Sequence, residues 1–105
     1  MKKKPQYKVI IFDRARQMLA RHVRFVAQKN LSAARKLKNE LMDAINSLYG
    51  RPERFPFLEA DFIPPNKYHK MVVGKRYLIL YQIKEQTVYV DYIVDCRQDY
   101  GWLIR

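Results

Sequence analysis

The chain has 105 residues, of which 49% are apolar, and its 21 Lys and Arg against 10 Asp and Glu give a net charge of +11. The length predicts that residues 1–105 form a single domain with one modest core. The positive charge predicts that the protein binds an anionic partner. The single cysteine excludes an intrachain disulfide, and one cysteine with two histidines is too few for a four-ligand zinc site. The three glycines are too widely spaced for a phosphate-binding loop. No apolar run approaches the ~20 residues of a membrane span. We expect no metal, no cofactor, no membrane association and a reducing, cytoplasmic location.

The chain opens with a predicted strand and helix. Tyr7–Phe12 is a short run of β-branched and aromatic residues, which is typical of a strand. We expect Asp13 to be the N-cap of the helix that follows, because its carboxylate can accept hydrogen bonds from the exposed N–H groups of the first turn. Apolar residues and His22 then recur at helical spacing, and the pattern ends near Lys29 and Asn30.

A second predicted helix follows at once. Ser32 is its expected N-cap, and an apolar stripe runs from Ala34 to Leu48 until Gly50 and Pro52 stop the helix. Because only two or three residues join the two helices, they should form an antiparallel hairpin.

The second half of the chain is predicted to be a loop followed by three strands. Arg51–Asn66 contains four prolines and cannot stay regular for long. Its apolar residues should pin it to the edge of the core: Phe55, Phe57, Leu58 and Phe62. Short turns separate three strand-like segments, Tyr68–Val73, Tyr77–Ile83 and Thr87–Val94, which predict an antiparallel meander. The tail Asp95–Arg105 is expected to add one or two helical turns.

This order of elements, β-α-α-β-β-β with a C-terminal tail, predicts an α+β domain. A helical hairpin can bury its apolar stripe only against one face of a sheet. We therefore expect a two-helix hairpin packed on one face of a mainly antiparallel four-stranded sheet.

The excess positive charge lies entirely in the first third of the chain. Residues 1–38 hold twelve Lys and Arg against one Asp, whereas residues 39–105 hold nine of each sign. Such a surface suits phosphates or an acidic protein segment, with binding that weakens as salt rises, and the alternative is a solvated helix face. The residues that we assign to it are Arg14, Arg16, Arg21, Arg24, Arg35, Lys36 and Lys38.

Several motifs occur in a characteristic order along nearly the whole chain. They are Y-K-V-I-I-F, A-A-R-K-L, A-I-N-S-L, R-P-E-R-F-P, Y-H-K-M-V-V-G-K-R-Y-L-I-L-Y-Q-I, V-Y-V-D-Y-I-V and D-C-R-Q-D-Y. In this order the sequence resembles the RelE/ParE superfamily of bacterial type II toxins. The resemblance implies a growth-inhibiting toxin that a cognate acidic antitoxin holds inactive. It also implies one of two activities, since RelE-like members cleave mRNA in the ribosomal A site, whereas ParE-like members poison DNA gyrase and are not nucleases.

The RelE-like activity would need a defined set of side chains. Metal-independent RNA cleavage requires groups that take the proton of the ribose 2′-OH and protonate the leaving 5′ oxygen, and cations for the charge that develops on the phosphate. Carried over by position, the resemblance implies Lys70, Arg76 and Arg97 as cations at the scissile phosphate, and Lys70 or Tyr100 for proton transfer.

Two departures from the RelE-like pattern leave the activity open. Tyr77 is followed by Leu78 where an arginine is common, and Arg76, two residues earlier, is expected on the same face as Leu78. The ending carries Asp95 and Asp99, where some nuclease members place a catalytic histidine. We place ribosome-dependent mRNA cleavage slightly ahead, with gyrase inhibition as the alternative and an inactive family member or a plain nucleic-acid-binding domain as the third hypothesis.

Overall fold

The computed structural model describes residues 6–97, and the predicted tail beyond Arg97 lies outside the described residues. In chain order the main elements are β1 (Lys8–Ile11), α1 (Asp13–Ala27), α2 (Leu31–Asn46), β2 (His69–Val73), β3 (Tyr77–Lys84) and β4 (Thr87–Asp95). This is the predicted order, and each strand lies within one or two residues of its predicted bounds. No helix within residues 6–97 combines the length and the apolar character needed to cross a membrane.

The helix starts differ from the prediction by one or two residues. Phe12, with extended backbone, is the N-cap of α1. Asp13 is the first helical residue, where its negative charge interacts favourably with the positive end of the helix dipole. At α2 the cap is Asn30 rather than Ser32, since the Asn30 side chain accepts a hydrogen bond from the Ala33 N–H at 2.9 Å. Asn30 has the extended backbone that a cap requires, whereas Ser32 already lies inside the first turn.

The end of α2 is drawn out into irregular helical turns. After Asn46 the chain continues as a 3-10 turn at Ser47–Tyr49, and a second 3-10 turn occupies Pro52–Arg54. The predicted stop at Gly50 and Pro52 is therefore correct for the helical path as a whole, although the α-helix itself ends earlier. Proline suits the start of the second turn because its missing N–H would have had no partner there.

The four strands form one sheet in the order β1-β4-β3-β2. β1 pairs with β4 in parallel, and the two remaining pairings are antiparallel, which confirms a mainly antiparallel sheet. The turn between β2 and β3 contains Gly74 and Lys75, both with positive φ, as tight hairpin turns require. The pairing of β3 with β4 shifts register between Leu80 and Tyr81, which leaves Asp91 without a partner residue on β3.

The helical hairpin packs on one face of the sheet, as predicted. The core on this face consists of buried side chains from the two helices, the turn that follows them and three strands: Ala15, Leu41, Ile45, Leu48, Met71, Tyr77, Ile79, Tyr81, Val88, Val90 and Ile93. We call this the helix face. The side chains that alternate with them on the strands point to the opposite face of the sheet.

The opposite face is covered in part by the loop between α2 and β2. There Leu78, Leu80 and Val94 pack with Leu58 of the loop and with Tyr68. We call this the loop face. The sheet is thus buried on both sides near β3, which explains why residues 77–81 form one continuous apolar run rather than an alternating one.

The loop is anchored by fewer residues than predicted. Leu58 is buried and Phe55 is partly buried, but Phe57 and Phe62 remain 39% and 40% exposed. Phe57 forms an isolated bridge with His69, so its extended backbone turns its side chain away from the direction of Leu58. Its ring instead lies over the imidazole of His69, with centroids 4.2 Å apart.

His22 fixes α1 to the edge of β4 beyond the end of β1. β1 pairs with Thr87–Val90, so within residues 6–97 no strand lies beside the later residues of β4 on that side. The buried imidazole lies there, with Nε2 2.7 Å from the carbonyl oxygen of Ile93. The histidine on the apolar stripe of the first helix is thus a hydrogen-bonded core residue.

Candidate functional site

Arg76 and Asp95 form the most closely defined polar pair near the predicted site. Arg76 Nε donates to one carboxylate oxygen of Asp95 at 3.1 Å, and Nη2 donates to the other at 2.9 Å. The backbone holds the two residues together, because the Cys96 N–H donates to the Arg76 carbonyl at 2.8 Å. Asp95 is 1% exposed, so this is a bidentate ion pair with a buried carboxylate.

The position of Arg76 differs from the expectation that it shares a face with Leu78. Arg76 belongs to the turn before β3 and does not follow the alternation of the strand. Asp95 is paired in register with Tyr77, whose side chain lies on the helix face. The guanidinium is therefore drawn toward the helix face by Asp95.

The backbone of Arg97 supplies a further donor to the Asp95 carboxylate. The Arg97 N–H donates to Asp95 Oδ1 at 2.9 Å. Burial by itself raises the pKa of Asp95, but the hydrogen bonds from Arg76 and from the Arg97 backbone, with the charge of Arg76, outweigh it. The pKa of Asp95 therefore lies below its usual value, and the carboxylate is charged at neutral pH.

Arg76 and Arg97 line a small cleft beside the end of α1. The cleft has a volume of about 310 Å³, and its other described walls are Phe25 and Lys29. Phe25 is 41% exposed, so an aromatic ring and three cationic side chains face the same space. The structure thus brings two of the predicted site residues together and adds two that sequence reasoning missed.

Lys70 lies away from this cleft. It is paired in register with Leu80, whose side chain packs on the loop face. Its neighbour His69 stacks on Tyr81, which belongs to the helix face, so the two adjacent residues point to opposite sides of the sheet. Tyr100, the other residue predicted for proton transfer, lies outside the described residues.

The predicted basic surface is centred on α1. Arg14, Arg21 and Arg24 line a groove of about 490 Å³ together with Met18, and the remaining walls of this basic groove are Gln17 and Ala20. Arg14 and Arg24 are exposed, while Met18 is partly buried against the core.

The other predicted cations of this surface lie outside the groove. Arg16 is exposed, and its Nε donates to the carbonyl of Ile11 at the end of β1, at 3.3 Å. Arg35, Lys36 and Lys38 are all exposed on α2.

Asp91 is a second buried carboxylate, on the loop face. Its Oδ2 accepts a hydrogen bond from Gln82 Nε2 at 2.7 Å, and Arg14 Nη2 lies 3.9 Å from its Oδ1. The same guanidinium lies 4.5 Å from the ring centroid of Tyr92. Burial, and then the charge of Asp91 with a hydrogen bond to it, raise the pKa of Tyr68 to about 12.

Both buried carboxylates interrupt an apolar strand in the sequence V-Y-V-D-Y-I-V-D. A charged residue in such a strand is the signal that could have revealed them, because buried charges require partners. The partners themselves are distant in sequence. Arg14 is contributed by α1 and Arg76 by the turn before β3.

Comparison with known proteins identifies the family. Residues 9–100 match the family described as the ParE toxin of the type II toxin-antitoxin system parDE. The chain belongs to the ParE toxin family. No curated protein sequence matches it.

A solved structure shares the fold of this ParE-family chain. It is described as the chromosomal ParDE TA system from P. aeruginosa, and it superposes with a TM-score of 0.70 at 10% sequence identity. The match covers 86% of this chain and 96% of that chain. The resemblance to RelE/ParE toxins inferred from the motifs is thereby confirmed. As a toxin of a toxin-antitoxin system, the protein has an antitoxin as its partner.

Proposed function

We propose that this ParE-family toxin inhibits growth by binding DNA gyrase and not by cutting mRNA. The observation that supports this choice is the ion pair of Arg76 with Asp95, together with the location of Lys70 on the loop face. A nuclease site would have to bring the predicted cations Lys70, Arg76 and Arg97 around one phosphate. Here one arginine is paired with a buried carboxylate, and the lysine lies on the other side of the sheet.

The chemistry of RNA cleavage makes this separation important. A base, an acid and cations must lie within hydrogen-bond reach of the same reacting atoms. A carboxylate beside the expected phosphate position repels the developing negative charge that the cations are needed to stabilise. The family description names ParE, and ParE-like members are the gyrase-directed branch of the superfamily.

Two reactions followed in parallel test the proposal. The purified chain is added to gyrase acting on a relaxed plasmid, and separately to a bacterial translation extract in which the 5′ ends of the message are mapped. We expect supercoiling to be inhibited and the message to remain intact. Codon-phased cuts in the message, with supercoiling unaffected, would instead establish the mRNA-cleaving alternative.

A lysine pair provides a matched genetic test in the cytoplasm of growing cells. Loss of a general acid or base slows a reaction by about 10²–10⁴-fold. Lys70→Ala should therefore abolish growth arrest if Lys70 transfers a proton, but should leave it unchanged under gyrase inhibition. Lys67→Ala is the control, because Lys67 is an exposed cation close by in the sequence. Arrest that is lost with Lys70→Ala and kept with Lys67→Ala contradicts the proposal.

We further propose that the basic groove on α1 binds an acidic segment of the antitoxin. Three arginines surround the partly buried side chain of Met18, so the groove suits a segment that carries carboxylates and one apolar anchor. The partner for the test is the product of the short acidic reading frame expected beside the toxin gene. Exchanging both Arg21 and Arg24 for Glu should weaken binding by about tenfold or more, and the wild-type affinity should fall as salt rises.

Exchanging Lys67 and Lys84 for Glu makes the same change of net charge at exposed positions away from the groove. This control should bind the antitoxin nearly as well as the wild type. Equal losses in the two double variants would mean that only the net charge matters, and the groove would not be the docking site.

A further inference from the structure

We propose that Asp95 is a specificity-determining residue that denies the phosphates of single-stranded RNA access to the cleft of Phe25, Lys29, Arg76 and Arg97. The inference deepens the proposed function, on which it rests, because it names the residue that separates this chain from an RNA-binding toxin. It concerns binding alone and involves no chemical step.

Asp95 occupies the side-on bidentate face of Arg76. Nε and Nη2 are the two donors of that fork, and both are bonded to the Asp95 carboxylate. A phosphate entering the cleft could take these donors only by displacing the carboxylate.

The Asp95 carboxylate is held in place by burial and by a further hydrogen bond. Asp95 is 1% exposed at the end of β4, and it also accepts the Arg97 N–H. If Arg76 turned to a phosphate, the charge of Asp95 would stay buried with its main counter-charge removed, which is strongly unfavourable. The pair is thus a fixed part of the fold and not a salt bridge that opens readily on binding.

The other residues of the cleft suit a nucleotide. Lys29 and Arg97 supply positive charge, and the exposed ring of Phe25 offers a surface on which a base can stack. Asp95 lowers the formal charge of the group formed with Lys29, Arg76 and Arg97 from three to two, and it occupies the Nε and Nη2 donors of Arg76. We therefore expect the wild type to bind RNA here weakly.

Asp95→Asn is the test, because asparagine keeps the shape and one acceptor oxygen for the Arg97 N–H while removing the charge. Binding of a short, fluorescently labelled single-stranded RNA is measured between about 50 and 200 mM salt. We expect the variant to bind about tenfold more tightly than the wild type at the lower salt concentration. The slope of log K against log salt should become steeper by about 0.7, as one added phosphate contact predicts.

Two further variants make the test specific. Asp91→Asn removes the same charge from the other buried carboxylate, on the loop face, and it should leave RNA affinity within about twofold of the wild type. The double variant Arg76→Ala with Asp95→Asn should lose the gain. Equal gains in Asp91→Asn and Asp95→Asn overturn the proposal, as does a gain that persists without Arg76, or no gain in an Asp95→Asn protein that melts cooperatively.

If Asp95→Asn does not fold, the wild-type protein can still test whether Arg76 contacts the RNA. The Nε–H resonance of Arg76 is followed by NMR during titration with the same RNA. We expect it to stay in place, whereas a saturable shift would show that Arg76 reaches the phosphate and would overturn the proposal. Inhibition of gyrase is measured separately on the wild type, so a failed gyrase assay and a failed RNA-binding prediction remain distinguishable.

Discussion

The guanidinium of Arg76 and the carboxylate of Asp95 join the start of β3 to the end of β4 through two hydrogen bonds of 3.1 and 2.9 Å. The two residues are 19 positions apart in the chain and lie side by side in the sheet. Arg76, which the sequence predicts as a cation of a catalytic site, is therefore also part of the structural frame. Stability and binding measurements on the same variants can separate the two roles.

Arg76→Ala should destabilise the protein by about 2 kcal/mol or more. The substitution leaves the Asp95 carboxylate buried without its guanidinium partner, and breaking a buried pair in this way is costly. This loss in the free energy of unfolding is smaller than for a fully buried ion pair, because Arg76 is 27% exposed and solvent screens part of the interaction. Unfolding in urea measures the effect. Lys84→Ala, an exposed cation at the end of β3, should change stability by less than about 0.5 kcal/mol, and similar losses in both variants would contradict the assignment.

The stability that Asp95 contributes should disappear in acid. Its pKa in the folded protein lies below the ordinary carboxyl value of about 4, so its contribution is present above that value and is lost as the pH falls through the folded pKa. The free energy of unfolding of the wild type relative to Asp95→Asn should thus be constant above about pH 5 and decline below about pH 4. Urea titrations over this range give the comparison. A difference between the two proteins that does not vary with pH would contradict the expectation.

His22→Leu should cost about 1–3 kcal/mol. It leaves the Ile93 carbonyl, on the part of the β4 edge that β1 does not cover, without the donor that now lies 2.7 Å away. His22→Gln retains an N–H donor of similar reach and should cost less. Thermal and urea unfolding of the two variants measure the difference, and a leucine variant as stable as the glutamine variant would show that the hydrogen bond contributes little.

The turn between β2 and β3 should respond in opposite senses to two substitutions. Gly74 and Lys75 have φ values of +62° and +61°, a region that L-residues other than Asn and Asp disfavour. Gly74→Ala should destabilise by about 1 kcal/mol through backbone strain alone, since its Cβ would lie 3.8 Å from Glu40 Oε2, an ordinary contact. Lys75→Asn should stabilise by about 0.5 kcal/mol. Equilibrium unfolding decides both, and a neutral Gly74→Ala would mean that the turn relaxes to another type.

The site was less predictable from sequence than the fold. The motif order predicts Lys70 and Arg76 as site residues. Whether their side chains lie on the same face of the sheet depends on the turn before β3, which takes Arg76 out of the strand alternation. The sequence does not mark Phe25 and Lys29 as residues of the cleft, because an exposed phenylalanine and a lysine at the end of a helix are common. Their meaning comes from the proximity of Arg97, which is distant in sequence.

The sequence alone determined the element order, the helical hairpin, the meander and the family, because these depend on local periodicity, turn residues and motif spacing. It also located the net charge of +11 in the first third of the chain. Only the tertiary structure decided how the charges are paired. Asp95 takes Arg76 and Asp91 faces Arg14 because burying a carboxylate demands a counter-charge, and the available one is set by which elements the fold brings together.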